Sequence, residues 1–335
     1  MSPARKAGTA LVAFLAAVAL SALAAWLWFE RAAYGERSLP ASETTVVIER
    51  GSTGAEVAAL LAEKGVIGSA RAFNLLARLR GEQASIKAGQ FRFVAHQTLA
   101  EVEKEVVSGG SQVAVWVTIP EGYTAREIAR VLAERSLGAA DGFAEYFLGH
   151  SLRLPGASTV TLEGVLFPST YLVPTSASPA DVAKIFTDEF LRSLPPGAEQ
   201  KAKRLGLTVP QVVTLASLIE REAKADDERR LMAGVYYNRL RIGMPLEVDA
   251  TIEYTFAHHK DVITQADLAR DSPYNTYKHN GLPPTPIANP GRPSLLAAFD
   301  PEPSSYLFYV YKGDGHHAFS RTLAEHNANV ARYLH

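Results

Sequence analysis

Hydrophobic residues in this 335-residue chain begin with one unbroken block and then fall into short periodic runs. The block, Gly8 to Phe29 (GTALVAFLAAVALSALAAWLWF), is uncharged over about 22 residues, the length a helix needs to cross a hydrocarbon core. Arg5 and Lys6 precede it, so the positive-inside rule puts the N-terminus in the cytoplasm and the remainder outside. Trp26 and Trp28 stand at the outer end, where aromatic rings favour the interface. A cleavable signal would have an apolar core of only about 7–15 residues. The small residues from Ala22 to Ala25 lie inside the run, and 8–29 therefore reads as a retained anchor behind a short tail, 1–7. Gly35 to Glu43, GERSLPASE, is polar with a Pro, and 30–43 reads as a linker.

Beyond the linker the period shortens. Thr44-Thr-Val-Val-Ile48 is β-rich, Gly51-Ser-Thr-Gly54 is a turn, and an amphipathic helix follows through Lys64. A near copy lies downstream. Val46, Ile48, Gly51, Thr53, Glu56, Ala58, Leu61, Ala62 and Glu63 recur at the same spacing as Val117, Ile119, Gly122, Thr124, Glu127, Ala129, Leu132, Ala133 and Glu134. Each copy predicts a strand, a turn with Ser or Thr near the N-cap, and a helix. Between the copies the spacing predicts a helix over 70–80, a strand over 89–94 and a helix over 98–107. Phe91 and Phe93 alternate along that strand as one core face rather than a sugar platform. The fold class is thus α+β: an N-terminal transmembrane helix, a small βααβ module over 44–112, and a larger α+β domain over 113–335. Within the larger domain, about 139–195 reads as an interrupted helical insertion, closed by Ser193-Leu-Pro-Pro-Gly197.

Charge and composition narrow the function. Basic and acidic residues number 34 and 35, and there is no basic stripe with interleaved aromatics, so nucleic acid is not an expected partner. Cysteine is absent, which removes disulfides, thiolate metal sites and cysteine nucleophiles together.

The segment with the most chemical content is Pro210 to Ala223, PQVVTLASLIEREA. On a helical wheel Val212, Val213, Leu215, Ala216, Leu218, Ile219 and Ala223 form one broad apolar face, with Thr214, Ser217 and Arg221 opposite. Two carboxylates break the pattern: Glu220 projects between Val213 and Ala216, and Glu222 between Leu215 and Leu218. A carboxyl among apolar groups has its charged form disfavoured and keeps its proton nearer neutral pH, as a general acid must. An edge Glu that snorkels or pairs with Arg gives the same pattern. The wheel does not choose between the two residues.

Further motifs follow: Leu162-Glu-Gly-Val-Leu-Phe-Pro-Ser-Thr-Tyr171, Asn238-Arg-Leu240, Met244-Pro-Leu-Glu-Val-Asp-Ala-Thr-Ile-Glu-Tyr254, Ser272-Pro-Tyr-Asn-Thr-Tyr277, Asn280-Gly-Leu-Pro-Pro-Thr-Pro-Ile-Ala-Asn-Pro-Gly291, His316-His-Ala-Phe-Ser320 and Glu325-His-Asn327. In this order they resemble the endolytic murein transglycosylases, the YceG-like family, from about Gly35 to the C-terminus and most densely from Thr161. The resemblance implies that Glu220, the first Glu of the helix motif, is the catalytic acid/base. It implies that the 44–112 module is LysM-like, that the substrate is peptidoglycan, and that penicillin-binding synthases are partners. It points to Glu163 as a second carboxylate that contacts substrate or sets the pKa of Glu220. Tyr274, Asn275, Tyr277 and Asn289 match family positions that could hold sugar hydroxyls or N-acetyl groups. Glu247 and Asp249 lie in a further matching motif, where Glu247 departs from the family's Gln and Ala250 from its Pro. The implied location is the bacterial inner membrane, single-pass, with the catalytic domain outside the cytoplasm.

A lytic transglycosylase needs one acid/base residue, because the muramyl O6 attacks C1 and closes a 1,6-anhydro ring without water. A muramidase hydrolase needs a second carboxylate, for which Asp249 is the candidate. A non-catalytic glycan-binding scaffold is the third reading. His316, His317, His326 and Glu325 lack the His-Glu-x-x-His pattern, and no metal or other cofactor is expected. Ser217 lacks a Gly-x-Ser-x-Gly elbow.

Overall fold

The structure is a computed structural model that describes residues 3–35, 43–49, 51–154, 158–256, 260 and 262–334, with side chains from Val12 onward. It divides into two compact units, one up to Val115 with Pro174–Ser176, the other Trp116–Val173 with Ala177–His335.

The first unit holds α1 (Pro3–Tyr34), β1 (Thr44–Ile48), α2 (Gly54–Glu63), α3 (Ala70–Arg80), β2 (Gly89–Phe93) and α4 (Leu99–Ser108). β1 and β2 pair antiparallel with Val46 opposite Phe91. Phe91 and Phe93 are fully buried, their ring centroids 6.1 Å apart, and they fill the core with Phe73, Leu61 and Val102. From Val12 to Tyr34, α1 is long and apolar enough to cross a membrane. It does not stop at residue 29. Residues 30–34, read as linker, are its last turns, because Phe29 and Ala33 lie four apart on one face and bury in the same core. The rest of that linker falls largely outside the described residues.

The second unit holds β3 (Ala114–Thr118), α5 (Ala125–Glu134), α6 (Ala140–Gly149), β4 (Ser151–Arg153), β5 (Thr159–Thr161), β6 (Thr170–Pro174), α7 (Pro179–Ser193), α8 (Ala198–Arg204), α9 (Val209–Glu222), α10 (Arg229–Arg241), α11 (Asp249–Glu253), α12 (Gln265–Leu268), α13 (Arg292–Phe299), β7 (Phe308–Tyr311), β8 (His317–Ser320) and α14 (Leu323–Tyr333). A 3₁₀ turn, Asp226–Glu228, leads into α10. The strands form two-stranded pairs, β3 with β6, β4 with β5 and β7 with β8. The sequence repeat is a structural one: Gly51 and Gly122 turn the chain at φ +83° and +78°, and Thr53 and Thr124 each close a capping box with the Glu three residues on.

The 139–195 stretch is less helical than expected. It holds α6 and α7 but also β4, β5 and β6, whose three to five residues are too short to register as a period of two.

Helix α9 is the centre of the second unit. Val212, Val213, Leu215, Ala216, Leu218 and Ile219 are all at 0% exposure. Thr214 and Ser217, expected on a solvent face, are buried as well. Ser217 Oγ donates to Thr214 O (2.7 Å) and accepts from Ile287 N (3.1 Å), so it faces the Pro-rich strap, Asn280 to Gly291, rather than water. α9 packs against α8, α10, α11 and α13, and a helix whose middle, from Val212 to Ile219, is buried all round hides the boundary that a wheel looks for.

Close packing around α10 yields a test. A Cβ at Gly234 would sit 2.4 Å from the backbone O of Glu302, an atom no rotamer change can move. Gly234→Ala gains about 1 kcal/mol of helix propensity and forces an overpacked contact of roughly 1–3 kcal/mol or more. The expected result is a net loss of stability in urea unfolding, against the gain an open helix interior would give.

Candidate active site

Two residues along a helix are 200° apart, so Glu220 and Glu222, at the C-terminal end of α9, leave it on opposite sides. Each meets a different environment.

Glu220 faces α10 and α13. Its Oε2 accepts from the N–H of Gly291 (2.9 Å), the N-cap of α13, and its Oε1 lies 3.6 Å from a guanidinium nitrogen of Arg229. Arg229 is itself buried and donates to Ser294 Oγ (2.5 Å) and Asp226. Both oxygens of Glu220 are thus held by the protein, and its side chain is 6% exposed. Glu121, which the sequence reading passes over, lies beside this pair. A Cβ on Gly291 would collide with its carboxylate, and partial burial followed by the Glu220 charge pushes its pKa up.

Glu222 faces a cleft of about 430 Å³, lined by Asp249, Glu247, Arg239, Tyr277, Tyr309, Tyr311, His317 and His326 among others. Its Oε2 accepts from Tyr309 OH (3.1 Å), which shares a hydrogen bond with the fully buried Tyr236 OH (2.8 Å). Burial, helped by the charge of Asp249 and opposed by the bond from Tyr309, pushes the Glu222 carboxyl up to about 7. Asp249, exposed at the first residue of α11, accepts from Tyr277 OH (2.5 Å). Glu247 has a left-handed backbone (φ +52°) and meets Arg239 at 3.2 Å, while Arg239 also binds the carbonyls of Pro245, Leu246 and Leu307. The arrangement combines a protonatable carboxyl, two further carboxylates, a fixed guanidinium and an aromatic wall, a set suited to a sugar.

The other sequence-derived residues lie elsewhere. Glu163 is buried at the N-terminus of α5, where its oxygens accept from Ala125 N (2.9 Å), Asn289 Nδ2 (3.0 Å) and Tyr254 OH (3.3 Å). Asn289 is fully buried and uses its whole amide: Oδ1 accepts from Gly164 N (2.9 Å) and Leu166 N (2.8 Å), and Nδ2 donates to Tyr123 O (2.9 Å) and Glu163. Asn275, also fully buried, closes its own turn through Leu268 O, Arg270 O and Tyr277 N. Tyr274 bonds Thr285 Oγ1 (2.7 Å) and packs on Tyr254. The cleft therefore gathers Glu247, Asp249 and Tyr277 around Glu222. It does not gather Glu220, Glu163, Tyr274, Asn275 or Asn289.

Glu163 carries a pH signature of its own. Burial raises its carboxyl from 4.5 to about 8, against the donors that favour the charge. A group raised in the folded state binds more protons there than in the unfolded chain, so stability falls as pH rises from about 4.5 to about 8. Glu163→Gln removes this titration. In urea unfolding, wild-type stability should drop relative to the variant across that window and run parallel to it outside.

Among the described residues no group of three or more His, Cys, Asp or Glu is placed to hold a metal ion.

A family model described as the YceG-like family matches residues 46–332. The chain is 33% identical over 317 residues to the endolytic murein transglycosylase of Bacillus subtilis (strain 168), covering 88% of this chain and 86% of that protein. It is 29% identical over 325 residues to the endolytic murein transglycosylase of Streptococcus pneumoniae serotype 2, covering 87% of this chain and 58% of that one. The 2.6 Å crystal structure of a putative yceG-like protein from Listeria monocytogenes superimposes with a TM-score of 0.55 at 30% identity, covering 85% of this chain and 98% of the other.

Proposed function

The chain belongs to the YceG-like family, and we propose that it is a membrane-anchored endolytic transglycosylase of nascent peptidoglycan, with Glu220 as its acid/base. The observation that carries this reading is the setting of Glu220, at the position where the family's helix motif has its acid/base. Its side chain is 6% exposed, one oxygen accepts from Gly291 N at the start of α13, the other lies 3.6 Å from Arg229, and Glu121 stands beside the pair. A carboxyl fixed in this way presents its proton in one geometry. Glu222, two residues on, lines the cleft with Asp249, Glu247 and Tyr277 and is placed to contact the strand.

In the reaction, protonated Glu220 donates to the glycosidic oxygen between N-acetylmuramic acid and N-acetylglucosamine, and the bond from that oxygen to the muramyl C1 breaks. The muramyl O6 bonds to C1 while its proton passes to the Glu220 carboxylate. The product is a 1,6-anhydro end, no water is consumed, and the acid is regenerated. Such proton transfer contributes roughly 10²–10⁴ in rate. Glu222, Asp249, Glu247, Arg239 and the tyrosines line the cleft and supply contacts to the strand. Cleavage within a growing strand would end its elongation, which makes penicillin-binding synthases the partner class. The α1 helix serves as a single-pass anchor in the bacterial inner membrane with its N-terminus cytoplasmic, supported by Arg5 and Lys6 ahead of the apolar run. A LysM-like, glycan-contacting role for the 44–112 module is part of the same reading, supported by its βααβ order.

The test is product analysis by mass spectrometry after the detergent-solubilised full chain has acted on purified peptidoglycan. Anhydro-muramyl ends are expected. Reducing ends would replace this reading with a hydrolase that uses Asp249 as its second carboxylate. A folded protein that binds strands without cutting them would leave the scaffold.

A further inference from the structure

Two guanidiniums outside the site described above sit where the fold gains nothing from them. Arg126 and Arg130 lie four apart on α5, hence on one face, and both are exposed. Like charges at that spacing repel. Arg126 is also the second residue of the helix, where the positive end of the helix dipole disfavours a cation. Neither guanidinium has an ion pair or a hydrogen bond among the described residues. Both line two adjoining hollows, of about 400 and 160 Å³, which also share Tyr254 and Phe256. The carboxylates of the smaller hollow are already committed. Glu253 meets Arg221 (2.8 Å), Glu127 closes the capping box with Thr124, and burial holds the Glu163 carboxyl at about 8, uncharged at neutral pH. Among the described residues of the larger hollow, Asp141 in the first turn of α6 is the one carboxylate, against two guanidiniums.

The smaller hollow adjoins the proposed acid. Arg221, one of its lining residues, follows Glu220 directly and donates to Gly122 O (3.3 Å). A Cβ on Gly122 would lie 3.6 Å from Glu220 Cγ and 3.9 Å from Arg221 Cδ, so one glycine stands beside both. Helix α11 has the Glu222 cleft on one side and the hollow on the other, with Asp249 lining the first and Glu253 the second. We propose that Arg126 and Arg130 form an anion subsite that takes a carboxylate of the peptide carried by a muramyl residue of the strand. That peptide hangs from the lactyl group of N-acetylmuramic acid, and its carboxylates are the strand's negative charges. A glycosidic bond placed at Glu220 brings the peptide of the same muramyl residue within a few residues' reach of the hollows, at about 3.3–3.6 Å per residue. Guanidiniums pair with carboxylates through two parallel bonds, and Tyr254 and Phe256 give the peptide's carbon atoms an aromatic wall.

The inference rests on the transglycosylase reading for the identity of the strand, and its test is built on binding so that the two can fail separately. The full-length Glu220→Gln protein in detergent is titrated with uncrosslinked, lipid-free strands that keep their peptides. The same strands with every peptide carboxylate converted to a methylamide serve as the neutral probe. The acid form should bind more tightly, and Arg126→Gln or Arg130→Gln should each weaken it about fivefold, the upper range for an exposed ion pair. Together they should cost about twentyfold and abolish the difference between the two strand forms, with methylamide strands bound as before. Lys at either position should recover part of the loss, because it keeps the charge without the paired donors. Added salt should shrink the difference in the parent. A structural role is read separately: freed of two like charges on one helix face, the double variant should be at least as stable in urea as its parent. Equal affinity of the parent for both strand forms, a preference that survives in the double variant, or a loss of stability on removing the arginines overturns the inference. Reducing ends among the wild-type products would replace the transglycosylase with a hydrolase and leave the binding difference standing.

Discussion

With Glu220 replaced by Gln, cleavage of glycan strands should fall by roughly 10²–10⁴, the contribution of a positioned acid/base. The amide oxygen can still accept from Gly291 N, so the variant keeps its tie to α13 and loses the proton donor together with the charge facing Arg229 (3.6 Å). Unfolding measured beside the rate separates the two losses: a fall in rate per folded molecule belongs to the chemistry, a fall in stability to the ion pair. Glu222→Gln should cost far less rate per folded molecule, since Gln still accepts from Tyr309 OH. Its effect belongs to stability. Burial raises the Glu222 carboxyl from 4.5 to about 7, so the folded chain binds more protons there than the unfolded one and wild-type stability falls as pH rises across that window. Glu222→Gln removes this fall. The charge of Asp249 raises the Glu222 carboxyl, so Asp249→Asn should narrow the window, and the bond from Tyr309 lowers it, so Tyr309→Phe should widen it. Cleavage that survives Glu220→Gln and is lost in Glu222→Gln would move the acid two residues along the helix.

Why the wheel stopped short of this choice is a matter of range. It found both carboxylates because intrusion into an apolar face is a local property of a 3.6-residue repeat. Which of them faces a cleft depends on β7, β8 and α14, more than 80 residues downstream, whose approach leaves no mark on α9. The same division runs through the chain. The repeat of β1–α2 in β3–α5 was legible because a Gly turn and a Thr-to-Glu capping box are set by neighbours three residues apart. β4, β5 and β6 were not, since a three-residue strand is defined by its partner rather than by its own pattern. Thr214 and Ser217 look like surface residues until Ile287 N is brought to Ser217 Oγ from 70 positions away. Glu228 and Glu121 carry no local signal at all. A Glu in an acidic turn and a Glu after Pro become notable only once His317 and Gly291 are set against them. Family resemblance supplied the candidates Tyr274, Asn275 and Asn289, but a motif does not distinguish an amide that binds sugar from one that holds the loop in place.

Asn289 shows how large that difference is. Replacing it with Ala should destabilise the protein by about 4 kcal/mol or more, among the largest effects a single substitution gives. Its side chain satisfies two backbone N–H groups, Gly164 and Leu166, one carbonyl, Tyr123, and one oxygen of Glu163, all against a site with no exposure. Each buried group left without a partner costs about 1–3 kcal/mol, and the Gly164 and Leu166 N–H groups lose theirs outright, while Tyr123 O keeps the backbone N–H of residue 289 and Glu163 keeps Ala125 N; the cavity adds its own cost. The backbone cannot rearrange easily to replace the amide. Gly164 is held at φ +98° with Pro286 so near that a Cβ would lie 2.4 Å from its ring, and Pro290 follows Asn289 directly. Asn289→Asp makes the sharper variant. It keeps the acceptor for Gly164 and Leu166 but loses both donated bonds and sets a second carboxyl against Glu163. Its deficit should therefore grow with pH as Glu163 ionises near 8, whereas that of Glu163→Gln/Asn289→Asp should not. Because the Asn289 side chain bonds only backbone groups and Glu163, and is not among the residues lining the cleft, KM should stay within a few-fold of wild type at temperatures where the variants are folded. A large rise in KM with stability unchanged would instead make Asn289 a sugar ligand, and would mean that the strap opens to free its amide when glycan binds.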